Sequence, residues 1–283
     1  MTTQAEKGER FRALHRRGRA FILPNPWNPG TARMLAQLGF EALATTSAGY
    51  AFSRGVADGA VGREAMLKHV EEIVAATDLP VSGDLENGYG DEPETAAETI
   101  RLAAAHGLVG ASIEDASGNE LAPIYDIGLA RERIRAAAEA ALALPFPFTL
   151  CARAENFLRG RPDLKNTVER LQAYQEAGAD VLYAPGLTTR EEISTVVRSL
   201  DRPVNVLVGM PGLGLNAEEL SALGVRRLST GSALARTALG AFLSAAHEMM
   251  ERGTFSYVAG AASATREVVP LLAALGTSKQ GSR

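Results

Sequence analysis

The stretch ETAAETIRLAAAHGLVGASIED, residues 94–115, holds one complete unit of this chain's architecture. An Ala-rich run with helical spacing stops at Gly107, and a short β-rich run follows and ends in two acids. Glycine suits a helix C-terminus because it adopts left-handed backbone angles without a Cβ clash. The same unit recurs on both sides. Strands are predicted at FILP (21–24), ALATTS (42–47), PVSGDLE (80–86), GASIED (110–115), FTLCARAE (148–155), DVLYAPG (180–186), PVNVLVG (203–209) and RRLSTG (226–231). Helical patterns lie between them, and Gly39, Gly178 and Gly224 repeat the stop signal of Gly107. Strands alternating with helices imply a parallel sheet, and eight of them imply closure into an α/β (β/α)8 barrel.

Residues 21–275 read as one barrel domain with additional C-terminal helices, because the helical pattern over 232–275 is too long for one barrel helix. Residues 1–20 read as an N-terminal helical segment, its helix over 5–18 plugging the barrel bottom, and 276–283 (GTSKQGSR) as a disordered tail. A net charge of −4 and the lack of Lys/Arg blocks argue against nucleic-acid or membrane partners. The single cysteine, Cys151, allows no intrachain disulfide, and the N-terminus lacks the apolar core of a secretory signal. No run approaches the roughly 20 apolar residues of a membrane span. These features together predict a cytoplasmic protein.

In such a barrel the reacting groups sit at the C-terminal strand ends and on the loops that follow. Strand three ends in Asp84 and Glu86, strand four in Glu114 and Asp115, and strand five in Arg153 and Glu155; Asp58 lies in the connection after strand two. Side chains alternate along a strand, so Asp84 and Glu86 share a face while Leu85 turns away, and Ala154 does the same beside Arg153. Several carboxylates at one mouth need a counter-charge. An all-oxygen donor set favours Mg²⁺, with Mn²⁺ as the alternative, over zinc. The competing reading is a structural network of acid–arginine pairs.

Absences narrow the chemistry. None of the lysines (Lys7, Lys68, Lys165, Lys279) ends a predicted strand, which argues against a Schiff-base aldolase. The histidines (His15, His69, His106, His247) all fall in helical patterns, and Cys151 reads as barrel packing. The glycine-rich VGMPGLG (208–214) reads as a turn rather than a phosphate cradle, since Pro211 removes one donor. Metal, carboxylates, arginine and backbone amides remain, a set suited to polarising an α-oxo acid.

The segments LPNPWNPGTARMLAQLGFEALATTSAG (23–49), GVAD (55–58), GDLENGYGD (83–91), SIED (112–115) and CARAENF (151–157) resemble the isocitrate lyase/phosphoenolpyruvate mutase superfamily in order and spacing. The resemblance implies a barrel whose last helix is exchanged between subunits of a homodimer or homotetramer. It implies Mg²⁺ bound directly by Asp84, with Asp58, Glu86 and Glu114 acting through water. Arg153 would clamp the substrate carboxylate, and Thr46, Ser47 and Ala48 would hold the same carboxylate and the oxo group. Asn119, in the loop after strand four, is a further substrate-binding candidate. Arg153, Asp58 and Tyr89 are the catalytic candidates, Tyr89 as a proton donor beside the metal strand. The loop EDASGNELAPIYD (114–126) departs from the family: it carries no Cys, His or Lys, which disfavours a cysteine-dependent isocitrate-type lyase. The expected activity is a Mg²⁺-dependent lyase on a small 2-oxo or 2-hydroxy (di)carboxylate, of the oxaloacetate-decarboxylase kind, acting through a metal-stabilised enolate. Phosphonopyruvate-type C–P chemistry and a non-catalytic 2-oxo-acid-binding barrel are the alternatives.

Overall fold

The computed structural model describes residues 2–277. Eight parallel strands follow the barrel order β1-β8-β7-β6-β5-β4-β3-β2. They are β1 (Phe21–Leu23), β2 (Leu43–Ala44), β3 (Val81–Asp84), β4 (Gly110–Glu114), β5 (Thr149–Arg153), β6 (Val181–Tyr183), β7 (Val204–Leu207) and β8 (Arg227–Ser229). The helices are α1 (Gln4–Arg16), α2 (Pro29–Gln37), α3 (Ser47–Ser53), α4 (Arg63–Ala75), α5 (Pro93–Ala105), α6 (Ile127–Leu142), α7 (Leu164–Glu176), α8 (Arg190–Arg198), α9 (Ala217–Ala222), α10 (Ala233–Arg252) and α11 (Val258–Thr277). All eight expected strands are present, so the chain is a (β/α)8 barrel with extra C-terminal helices. Of the expected tail, residues 278–283 lie outside the described residues.

The last seam is made differently from the others. No ladder joins β1 to β2 among the described residues; instead the Ala44 N–H donates to the Pro24 carbonyl (3.0 Å) and Asn25 Nδ2 to the Thr45 carbonyl (2.7 Å). Asn25 Oδ1 also accepts the N–H groups of Thr230 (3.0 Å) and Gly231 (2.9 Å), tying the end of β8 to the same point.

The expected bottom plug is α1. Its Phe11 is fully buried with Phe21, Leu23, Ala42, Ala44 and Val109. A Cβ on Gly110 would stand 2.9 Å from the Phe11 ring, so the glycine at the start of β4 gives the plug its room. Between sheet and helices, Leu85 and Ala154 are buried in the main core, as alternation predicts. The connection after strand two starts with a short helix, α3, whose N-cap Thr46 accepts the Gly49 N–H. Outside the barrel, α10 and α11 leave Phe242, Leu243, Met250, Val258 and Val269 exposed.

Candidate active site

A cavity of about 1430 Å³ opens at the C-terminal strand ends. It is lined by each of the singled-out residues Thr46, Ser47, Ala48, Asp58, Asp84, Glu86, Tyr89, Glu114, Asn119 and Arg153. No histidine or lysine lines it among the described residues. His15, His69 and His247 lie in helices and His106 caps one, as the helical patterns predict; Lys279 lies outside the described residues.

Arg153 is the electrostatic centre. Its Nη1 lies 2.9 Å from Asp84 Oδ1 and 3.0 Å from Glu114 Oε2, and its Nη2 lies 2.7 Å from Glu155 Oε1. Burial opposes the charge on this guanidinium, but Glu114, Glu155 and Asp84 more than offset it and hold the group firmly protonated. Arg159 adds a second, half-exposed cation 3.4 Å from Glu114.

Asp84 ends β3 with both oxygens engaged: Oδ2 accepts the Ser47 N–H (3.0 Å) and hydroxyl (2.9 Å), while Oδ1 faces Arg153. The Thr45 hydroxyl accepts the Asp84 N–H at 2.9 Å. Ser47 and Thr46 thus have structural partners here: Ser47 orients Asp84, and Thr46 caps α3. Asn119 lies in the loop tip, where its Oδ1 accepts the Leu121 N–H.

The turn after β3 is strained. Glu86 (φ 49°) and Tyr89 (φ 64°) are the two non-glycine residues with positive φ among the described residues. Such backbone angles cost free energy and persist only where the surroundings enforce them. The enforcing group is Arg133 of α6, a fully buried side chain that donates to the carbonyls of Asn87, Gly90 and Asp91. Its guanidinium also lies over the Tyr125 ring, 4.5 Å from the centroid. Both residues line the cavity, and neither Glu86 Oε1 nor the Tyr89 hydroxyl, each almost without accessible surface, finds a protein partner among the described residues.

Burial, then the charges of Asp84 and Asp58, push the Glu86 carboxyl up to about 7. Burial and Asp84 raise Asp58 as well. The Tyr89 phenol is pushed well above its ordinary value by burial and then by Glu86. A cation at this point would relieve these acids, and an oxygen-only donor set with an unpartnered carboxylate oxygen fits a hard divalent ion. No three His, Cys, Asp or Glu side chains converge closely enough among the described residues to chelate an ion jointly.

Asp115 is not part of the mouth. Its Oδ2 accepts from Arg170 Nη1 (3.0 Å) and the Tyr174 hydroxyl (2.6 Å), both on α7, and its Oδ1 accepts the Glu155 N–H (2.8 Å). The following loop folds back through a bridge between Ala116 and Ile124. Of VGMPGLG, Gly209, Met210 and Pro211 line the cavity rim.

Fold and mouth together define a (β/α)8 barrel with a carboxylate-and-arginine centre at its C-terminal face. Residues 11–250 match the phosphoenolpyruvate phosphomutase family, and the chain belongs to it, within the isocitrate lyase/phosphoenolpyruvate mutase superfamily. A crystal structure from Burkholderia cenocepacia J2315, provisionally described as a lyase/mutase, is 62% identical, covers 90% of this chain and 91% of its own, and superposes with a TM-score of 0.88. A second structure from that organism, provisionally a phosphonomutase, is 35% identical over 89% of this chain and 100% of its own, with a TM-score of 0.79. The oxaloacetate decarboxylase of Pseudomonas putida (strain GB-1) is 28% identical over 79% of this chain and 78% of its own. The superfamily includes lyases that act on C–C bonds.

Proposed function

We infer that this chain is a Mg²⁺-dependent lyase that breaks a C–C bond in a small 2-oxo or 2-hydroxy (di)carboxylate. The observation that carries the reading is the pair of buried, unpartnered groups, Glu86 Oε1 and the Tyr89 hydroxyl, on residues that line one cavity with Arg153. Asp84 would hold the ion directly, and Asp58, Glu86 and Glu114 through water. Bound there, the cation supplies Lewis-acid polarisation of the substrate's oxo and carboxylate oxygens.

The protein's own groups do the rest. Arg153 binds the substrate carboxylate, exchanging part of its contact with Asp84 for the incoming anion and freeing that acid. Ser47 keeps Asp84 in place through its N–H and hydroxyl. Breaking the C–C bond releases CO₂ or an aldehyde/oxo fragment and leaves the bonding pair on an enolate that needs a proton at carbon. Tyr89 retains its proton at neutral pH because burial and the neighbouring acids disfavour the phenolate, so it can donate from Oη. Kinship with an oxaloacetate decarboxylase supports the C–C reading. The Asn119 side chain, engaged within its own loop, gives C–P chemistry no added support.

The test is turnover with Mg²⁺ across oxaloacetate, substituted malates and phosphonopyruvate, following oxo-acid product and phosphate separately. Oxo acid without phosphate supports the lyase. Phosphate from phosphonopyruvate would replace it with C–P hydrolysis, and saturable binding without turnover would replace it with a binding protein. The exposed apolar faces of α10 and α11 support assembly into a homodimer or homotetramer by exchange of C-terminal helices, which light scattering would measure.

A further inference from the structure

We propose that the lower part of the barrel cavity is a binding site for a small monovalent anion of carboxylate or halide type, with Arg227 Nη1 as its principal donor. Arg227 opens β8 with its side chain inside the barrel and is 3% exposed. Its Nε donates to Asn205 Oδ1 (3.0 Å) and its Nη2 to Cys151 Sγ (2.8 Å). Nη1 has no protein partner among the described residues, and no acid there forms an ion pair with the guanidinium. Both partners are neutral. Asn205 Nδ2 donates to Ser229 Oγ (2.9 Å), and burial keeps the Cys151 thiol protonated, with Arg227 only partly opposing it.

A buried guanidinium without a counter-charge costs several kcal/mol, so an ion that joined it would be held firmly. The position favours occupation. Arg227, Asn205, Tyr183 and Ser229 line the same cavity as Arg153. Cys151, which Arg227 touches, is the next inward-facing residue below Arg153 on β5, roughly 6–7 Å along the strand. Two guanidinium groups therefore lie one above the other inside the barrel. The upper one is shared among three acids, and the lower one has none. The positive charge is also felt below, where burial and then Arg227 depress His15 to about 3. Nη1 has almost no accessible surface, so an anion at the cavity floor, beside the polar side chains of Tyr183 and Ser229, gains this N–H through a small shift of the Arg227 side chain. This site does not depend on the lyase reading. Its occupant has two possible sources, a free inorganic anion or the carboxylate of a substrate or product.

The test uses the full chain. Crystals soaked in sodium bromide should show an anomalous peak at hydrogen-bond distance from Arg227 Nη1. In solution, the unfolding temperature should rise saturably with bromide against gluconate at matched ionic strength. Arg227→Lys should weaken that response about tenfold, since one charge-assisted hydrogen bond is worth roughly that factor, and Arg227→Met should abolish it. If the Met variant does not fold, the Lys variant and the wild-type soak still decide. Repeating the soak with saturating oxalate separates the sources: a displaced peak assigns the site to a substrate carboxylate, and a retained one to a free anion. An ordered water at Nη1 in place of bromide would overturn the proposal. So would a peak without saturable stabilisation, which would mark an adventitious ion only.

Discussion

Replacing Arg170 with Met should destabilise the protein by about 3 kcal/mol, near the lower end of the cost of breaking a buried ion pair. Asp115 is almost wholly buried, so loss of its partner leaves a charge that water cannot reach. Two donors survive the change: the Tyr174 hydroxyl at 2.6 Å and the Glu155 N–H at 2.8 Å. Each hydrogen bond to a charged group contributes about 1.5–3 kcal/mol, which keeps the loss from reaching the upper end of the range, about 5 kcal/mol. The Tyr125 carbonyl also loses the Arg170 donor at 2.9 Å, loosening the loop between β4 and α6. Urea unfolding measures the loss, and the double variant Asp115→Asn/Arg170→Met should recover part of it because the stranded charge is gone. A second readout links stability to the site. Asp115 fixes Glu155, and Glu155 backs Arg153, so the Michaelis constant for a carboxylate substrate should rise in Arg170→Met. A loss below about 1 kcal/mol, the value of an exposed pair, with an unchanged urea dependence would refute the reasoning.

Three further outcomes are expected. Asp84→Ala should abolish both turnover and the Mg²⁺-dependent rise in unfolding temperature, while Cys151→Ser, which keeps an acceptor for Arg227, should alter neither. Tyr89→Phe should lower kcat about 10²-fold with little change in the Michaelis constant, the signature of a lost proton donor; equal activity would remove Tyr89 from the mechanism. His15 binds a proton near 6.5 when unfolded but near 3 when folded, so the unfolded state holds more protons between those values and stability rises with pH across that window. Acidifying from pH 6.5 to 5 should therefore cost about 2 kcal/mol from this residue, and His15→Phe should remove that share of the slope seen in urea titrations, leaving the part due to His69, which burial holds near 4.

The eight strands were legible because each is a short apolar run, and four of them follow a glycine stop, at Gly39, Gly107, Gly178 and Gly224. The mouth was legible because alternation places Asp84, Glu114 and Arg153 inside while Leu85 and Ala154 face the helices. Alternation was silent on which strand-end acid turns outward once a strand has ended. Asp115 follows β4 directly, yet its partners Arg170 and Tyr174 lie 55 and 59 positions further on, a separation no local pattern reports. Arg133 sits within an Ala-rich helix, and no local pattern reports that it braces the strained turn 46 positions before it. The dipeptide Arg226-Arg227 opens a predicted strand, and the strand period sends Arg227 into the barrel. Only its missing acid partner, visible in three dimensions, distinguishes it. The helix α3 escaped notice because seven residues are too few for a helical period to stand out.

The seam between β1 and β2 has a consequence for how the barrel breathes. Its closure rests on one backbone hydrogen bond, Ala44 to Pro24, and on the amide of Asn25. A ladder yields one rung at a time, whereas this junction has few rungs to lose, so local opening should begin here. Thr45 and Ser47, which hold Asp84, follow Ala44 immediately in the chain, and Thr230 and Gly231 hang from the same asparagine. Loosening the joint therefore loosens the site, and exchange of the Ala44 amide is a direct clock for how often both come apart.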